Sequence, residues 1–108
     1  MLQNQLHMEN WYTGTDLKFL IEMSSSGFSM DDDDWSILVR SSGKIVQEIP
    51  KTDCVRENDG KWYVFVNASY LKSGELALVA HIRVPDPNFD DDFRDEYEVK
   101  VVGKIDKI

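Results

Sequence analysis

Hydrophobic and polar residues alternate with a period of two along most of the chain, and this pattern predicts β-strands. The clearest example is residues 16–23, where the apolar side chains share one face: Leu17, Phe19, Ile21 and Met23. The same alternation predicts strands over 35–40, 44–49, 61–67, 75–84 and 97–101. No segment has the helical periodicity that a crossover between parallel strands needs.

Turn residues separate these strands. The Ser-Ser-Gly-Lys sequence at 41–44 and the Asn-Asp-Gly-Lys sequence at 58–61 predict tight hairpin turns, because Gly accepts the positive φ that such turns need. The polar stretch 51–58 reads as a connecting loop, 68–72 as a short helical turn, and 103–108 as an edge or tail.

About six strands with turns every eight to twelve residues are typical of a sandwich or barrel. We therefore expect an all-β fold, an antiparallel β-sandwich in a single domain over 15–108, preceded by an irregular N-terminal segment over 1–14. The inward phases of the strands predict a core of Leu17, Phe19, Ile21, Trp35, Ile37, Val39, Trp62, Val64, Leu76, Leu78 and Ile82.

Composition narrows the range of possible functions. A chain of 108 residues fits one domain, and its net charge of −8 argues against binding to nucleic acid or to anionic membrane surfaces. The single cysteine, Cys54, excludes an internal disulfide and a Cys-based zinc site. With neither a secretory signal nor a long apolar run, the sequence predicts cytoplasmic synthesis.

Two acidic runs, 31–34 and 90–92, are candidate calcium ligands because Ca²⁺ prefers carboxylate and carbonyl oxygens on loops. The candidate ligands are Asp32, Asp34, Asp90 and Asp92. Neither run has the spacing of an EF-hand, so two solvated loops are the alternative that we favour. If the strands that follow the runs point the same way, both runs lie at one end of the sandwich and attract a cation or a basic partner.

Catalytic candidates are few. His7 and His81 lack the Cys or Glu neighbours of a zinc site, and Cys54 could meet a histidine only through the tertiary fold. Motifs for a nucleophilic serine, a metalloprotease helix or a phosphate loop do not occur. The prediction is a protein that is not an enzyme and needs no cofactor, apart from the calcium alternative.

Aromatic residues give a second ligand hypothesis, a stacking platform for glycans, and its candidates are Trp11, Tyr12, Trp35, Trp62, Tyr63, Phe65 and Tyr70. Trp35 and Trp62 fall on inward phases, which favours a core role for them instead. Tyr63 and Phe65 point away from Trp62, and Leu20 lies on the polar side of its strand. We expect these three residues to form a protein interface.

Three stretches together carry a resemblance to a known group of proteins. They are 15–22 followed by Gly27-Phe28 and Asp33-Asp34-Trp35, then 60–64 followed by 71–76, and finally 84–86 followed by 89–94. The pattern resembles small prophage or mobile-element proteins of Bacteroides-type bacteria, and the immunoglobulin-like N-terminal domains of phage baseplate and tail-fibre proteins.

That resemblance covers roughly residues 15–103 and implies an immunoglobulin-like sandwich with no catalytic residues to transfer. The expected function is a structural or assembly module of a phage-like particle, which acts on a protein partner or by self-association and becomes part of the virion. The alternative is a small-ligand module that binds calcium through the acidic loops or glycan through the aromatics.

Overall fold

Nine β-strands account for most of the chain that the computed structural model describes, which is residues 2–3 and 9–107. The strands are β1 (Leu2–Gln3), β2 (Glu9–Tyr12), β3 (Leu17–Met23), β4 (Trp35–Ser41), β5 (Lys44–Pro50), β6 (Val55–Asn58), β7 (Lys61–Val66), β8 (Gly74–Pro85) and β9 (Phe93–Asp106). Two single 3₁₀ turns, η1 (Lys51–Asp53) and η2 (Ala68–Tyr70), are the helical elements of the described residues. The all-β prediction and the short turn near 68–72 are thus confirmed.

The strands form two sheets whose order is that of an immunoglobulin sandwich. One sheet has four strands in the order β1-β3-β7-β6, and the other has five in the order β2-β9-β8-β4-β5. The immunoglobulin fold places its first, second, fifth and fourth strands in one sheet and its third, sixth and seventh in the other. Here β1 and β2 together take the place of the first strand, and β5 is an additional edge strand.

The start of the chain contributes to both sheets, which differs from the prediction. Glu9–Tyr12 lies in the segment that we expected to be irregular, yet it forms strand β2 and pairs with Gly103–Asp106 at the end of β9. This pairing is parallel, whereas every other strand pair is antiparallel. A four-residue strand with the pattern Glu-Asn-Trp-Tyr is too short for its alternation to be recognised in the sequence.

The core lies between the sheets and contains the residues predicted from strand phase, with one exception. Trp35 is 2% exposed on β4, the strand where immunoglobulin domains bury a tryptophan. Trp62 is only partly buried and packs edge-on against Trp35, with ring centroids 5.4 Å apart. The sandwich is held by apolar packing without a disulfide between its sheets, because its single cysteine is free.

Two further segments differ from prediction. The stretch 51–58, expected to be a loop, contains η1 and the edge strand β6, all four of whose residues are exposed. An edge strand with no buried side chain lacks the alternation by which a strand is recognised. The stretch 103–108 was expected to be an edge or a tail, but the final strand continues through Asp106 after a bulge opposite Leu76 and Ala77, and Gly103–Ile105 pair with both β8 and β2.

Candidate functional site

The three residues predicted as an interface lie together on the outer surface of the four-stranded sheet. Leu20 on β3 is directly opposite Tyr63 on β7, and Phe65 is the next outward residue along β7. Val55 on β6 is opposite Tyr63 from the other side and is 53% exposed. We call these four residues the β3–β7 face. Strand pairing thus assembles an apolar surface from three separate parts of the sequence.

One lysine lies against the aromatic rings of the β3–β7 face. The Nζ atom of Lys18 is 4.1 Å from the ring centroid of Tyr63 and 5.9 Å from that of Phe65. These distances are within the range of cation–π attraction. Partial burial raises the pKa of Tyr63, and the neighbouring carboxylate of Glu57 adds to this rise. The phenol therefore stays neutral, and the face combines apolar area with the cation of Lys18 and the carboxylate of Glu57 beside Tyr63.

The two acidic runs lie at the same end of the sandwich, as the sequence predicts for strands that point the same way. Strands β4 and β9 are both antiparallel to β8, so they run in one direction. The backbone N–H of Arg83, near the end of β8, donates to the carbonyl of Asp34 at 3.1 Å. The loop that precedes β4 therefore contacts the strand that leads into the second acidic loop.

Asp31 is bound by neighbouring groups rather than left free for a ligand. Its Oδ1 accepts hydrogen bonds from Nε1 of Trp62 at 2.9 Å and from Nε of Arg56 at 3.1 Å. Its Oδ2 accepts the backbone N–H of Gly60 at 3.2 Å. The hydrogen bond from Arg56, followed by that from Trp62, lowers the pKa of Asp31 from 3.8 to about 2. This carboxylate ties the first acidic loop to the β6–β7 hairpin.

Lys51 holds the same loop from the other side. Its Nζ donates to the carbonyl oxygens of Asp31 and Asp33, both at 2.9 Å, and lies 5.2 Å from the ring centroid of Trp62. Within the loop, the carboxylate of Asp33 accepts the backbone N–H of Ser29 at 2.8 Å. Within the first acidic run, the side chains of Asp31 and Asp33 therefore hold the loop in place, whereas Asp32 and Asp34 are exposed to solvent.

Two arginines pair with some of the carboxylates of the second acidic loop and of the start of β9. Arg94 pairs with Asp86 at 3.1 Å, and Arg83 pairs with Asp91 at 2.6 Å and with Asp95 at 3.2 Å. Arg83 is on β8, the strand paired with β9, so its contact with these carboxylates depends on the fold. The predicted attraction of this end for a cation or a basic partner is therefore reduced by its own arginines.

The four candidate calcium ligands, Asp32, Asp34, Asp90 and Asp92, are not assembled into a metal site. Within 9–107, no group of three or more His, Cys, Asp or Glu side chains is arranged to hold a metal ion. Asp92 itself occupies a tight turn, with φ of 65°, and its backbone N–H donates to the carbonyl of Phe89.

Cys54 and His81, the residues that could have formed a nucleophile and its base, lie in different environments. Cys54 is buried, and burial, with a smaller contribution from Asp53, raises the pKa of its thiol to about 11. His81 lies on the outer surface of the five-stranded sheet, stacked on Tyr97 with ring centroids 4.3 Å apart, and its Nε2 is 2.9 Å from Asp95. His7 falls outside the described residues. A thiol with so high a pKa is a poor nucleophile near neutral pH.

Of the tryptophans in the proposed glycan platform, Trp35 is buried in the core, and Trp11 and Trp62 are partly buried and pack against it. Trp11 packs edge-on against Phe19 at 5.9 Å, and Trp35 donates from Nε1 to the carbonyl of Met30 at 2.9 Å. Tyr12 and Tyr70 are exposed, on β2 and in η2 respectively. Packing of the indoles thus removes the largest members of the predicted platform.

Two surface features were not predicted from sequence. Tyr97 and Val99 are 60% and 48% exposed on the outer surface of the five-stranded sheet. A cleft of about 470 Å³ also opens between the sheets, lined by Asp16, Leu17, Lys18, Gln47, Ile49, Asp53, Phe65, Val66 and Asn67. Phe65 belongs both to this cleft and to the β3–β7 face, so the two surfaces are continuous. Of these two features, only the exposed side chains of β9 could be predicted, because the sequence alternates over 93–99.

Neither a protein-family model nor a curated protein matches this sequence. Among the described residues, no helix is long and apolar enough to cross a membrane.

Proposed function

We propose that this protein is a non-enzymatic assembly module of a phage-like particle or mobile element, and that it acts through protein–protein contacts made by the β3–β7 face. The observation that carries the proposal is the grouping of Leu20, Val55, Tyr63 and Phe65 on one outer sheet surface. Val55 and Phe65 are exposed, and Leu20 and Tyr63 are partly exposed between them. Contiguous apolar side chains at a surface are typical of sites that bind another protein.

The core does not need these residues. Leu17, Phe19 and Ile21 already occupy the inward positions of β3, and Val64 and Val66 occupy those of β7. The outward positions of both strands could therefore be polar without any loss of core packing. Apolar side chains at such positions expose surface to water, and a partner that covers them recovers the hydrophobic free energy.

The particle context rests on the resemblance to phage baseplate and tail-fibre domains, which are immunoglobulin-like. The strand order β1-β3-β7-β6 facing β2-β9-β8-β4-β5 agrees with that fold class. In such an assembly, a small sandwich presents one sheet surface to a neighbouring subunit or to a second copy of itself.

Site-specific photo-crosslinking tests the proposal. A benzophenone amino acid replaces Phe65 in one variant and Phe89 in the control, and both are expressed in the bacterium that carries the gene. The two phenylalanines are 43% and 47% exposed, so they differ in location rather than in accessibility. We expect adducts at position 65, either with particle subunits or with a second copy of the chain, and none at position 89.

Adducts of equal yield at both positions, or none at position 65, would overturn the proposal. Circular dichroism spectra of both variants confirm that the sandwich is folded. Light scattering after size exclusion then shows whether the contact is between copies of this chain.

A further inference from the structure

The cleft between the sheets exists because β6 is shorter than the strand with which it pairs. β6 covers β7 only as far as the Val55–Tyr63 pair, so Phe65, Val66 and Asn67 have no strand beside them on that edge. Gln47 and Ile49 of β5, which belongs to the other sheet, form the facing wall. The opening is a consequence of strand length rather than of a mobile loop.

The size and lining of the cleft suit one long side chain. Its volume of about 470 Å³ is within the range of small-ligand sites. Leu17, Ile49 and Val66 supply apolar walls that would cover an aliphatic stem. The walls alone would accept any apolar chain, so the polar groups decide what the cleft binds.

The polar groups are mainly acceptors. Gln47 Oε1 is buried without a hydrogen-bond partner, and it is the one such side-chain atom recorded for the described residues. Asp53 makes no hydrogen bond or ion pair among the interactions found within 9–107, and one oxygen of Asp16 accepts the backbone N–H of Ala68 at 2.8 Å. A buried acceptor without a donor is costly, so a donor that enters the cleft gains free energy.

The one cation of the lining is already engaged. Lys18 lies 4.1 Å from the ring centroid of Tyr63, on the outer surface of the sheet. The carboxylates of Asp16 and Asp53, which are exposed to solvent, therefore have no ion pair among the described residues, and the amide oxygen of Gln47 is the buried acceptor beside them, in a chain whose net charge is −8. A ligand with an apolar stem and a cationic head complements this arrangement.

We propose that this cleft binds a lysine or arginine side chain of a protein partner, with the stem against Leu17 and Ile49 and the charged head at Gln47 and Asp53. The proposal rests on the proposed function, since it takes the partner that covers the β3–β7 face to be basic next to Phe65. The partner is a protein with a cationic side chain at the contact.

A nuclear magnetic resonance titration with n-butylguanidinium tests the cleft on its own. The full chain is labelled with ¹⁵N and ¹³C, and the probe is compared with the neutral isostere n-butylurea and the anion pentanoate. We expect saturable shifts of the Gln47 side-chain amide and the Leu17 methyl groups at millimolar probe, the affinity expected of so small a ligand. The urea should bind several-fold more weakly, and pentanoate should leave these signals unchanged.

Two variants identify the groups that recognise the head. Gln47→Met removes the buried acceptor at nearly constant length, and Asp53→Asn removes the charge at constant shape. We expect Gln47→Met to weaken butylguanidinium binding about tenfold, as the loss of a hydrogen bond to a charged group implies. Asp53→Asn, at an exposed carboxylate, should weaken it about two- to fivefold. Asp90→Asn on the β8–β9 turn is the matched control and should bind as the wild type does. Equal binding of urea and guanidinium, or shifts with pentanoate, would overturn the cationic assignment.

Crosslinking at position 65 separates this proposal from the proposed function. Loss of the adduct in the Gln47→Met and Asp53→Asn backgrounds supports a basic side chain in the cleft. An adduct that persists unchanged in both backgrounds overturns the cleft proposal while docking by the β3–β7 face stands. Butylguanidinium binding without any adduct overturns the proposed function and identifies a site for free cations instead of a partner's side chain.

Discussion

At the scale of single residues, neighbouring aspartates of one acidic run have different roles. Asp31 accepts hydrogen bonds from two side chains and a backbone amide, and Asp33 accepts the N–H of Ser29. The sequence shows four identical residues in a row, so it predicts their charge but not their partners. The partners of Asp31 come from the β6–β7 hairpin, 25 to 31 positions away, whereas Ser29 lies in the same loop as Asp33.

Replacement of Asp31 by Asn tests the structural role of this residue. We expect Asp31→Asn to lower the Tm by several degrees at pH 7, because it weakens the acceptor for Arg56 and Trp62 and removes a charge that the fold stabilises. Asp59→Asn is the matched control: its carboxylate contacts the same Arg56, but its side chain is fully exposed. Thermal unfolding followed by circular dichroism measures both. Equal shifts for the two variants would contradict the structural role.

The same variant has a defined pH dependence. Because the pKa of Asp31 is lowered in the folded state from 3.8 to about 2, its ionised form adds stability at pH values above about 4. That contribution disappears as the pH falls from about 4 to about 2. The Tm difference between wild type and Asp31→Asn should therefore shrink across this window, and a constant difference would exclude the charge as its source.

At the scale of strands, the parallel pairing of β2 with β9 depends on one glycine. A Cβ atom added at Gly103 would lie 2.1 Å from the carbonyl oxygen of Glu9 and 2.6 Å from the ring of Trp11. Both distances are below van der Waals contact, and one of the two atoms belongs to the backbone. Strand β2 can approach β9 this closely only where β9 has no side chain.

Gly103→Ala should therefore detach β2 while the rest of the sandwich stays folded. We expect a loss of about 1–3 kcal/mol in the free energy of unfolding, the usual cost of forced overpacking. Hydrogen exchange should rise at Glu9–Tyr12 and change little in β3, β4 and β8. Lys104→Ala, at the exposed neighbouring position of β9, is the control for strand propensity. Protection of β2 that survives in Gly103→Ala would show that the strand can move to make room.

Strands with one buried face can be predicted from the alternation of apolar and polar residues, whereas an exposed edge strand cannot. β3 and β4 were predicted because every second side chain enters the core. β6 was missed because all its residues are exposed, and it is a strand only through pairing with β7. The β3–β7 face could be predicted from the outward phase of β7. The cleft could not, since it depends on where β6 stops and on β5 in the opposite sheet.

At the scale of the whole molecule, the charges are distributed unevenly. At least four of the twelve basic residues bond to the two acidic loops at one end: Lys51, Arg56, Arg83 and Arg94. The loops over 31–34 and 86–92 hold eight aspartates, so even with these four cations half of the net charge of −8 lies at this end. The net negative charge of the whole chain favours the approach of a basic surface through long-range attraction.

The pairing of β2 with β9 also determines how the domain bears mechanical load. If the chain is pulled at Glu9 and at Asp106, the two forces point in opposite directions. Because β2 and β9 are parallel, these forces slide one strand along the other. The hydrogen bonds between these strands lie across the pull, so they are strained together in shear. By contrast, a pull that separates Ser36 from Pro50, the paired residues at the open end of the β4–β5 hairpin, would break its bonds one after another.

Single-molecule force spectroscopy should therefore record a higher rupture force through the ends of β2 and β9 than through residues 36 and 50. The same rupture force in both directions would contradict the shear geometry. The resistance comes from the parallel pairing of β2 with β9, which the close approach at Gly103 makes possible.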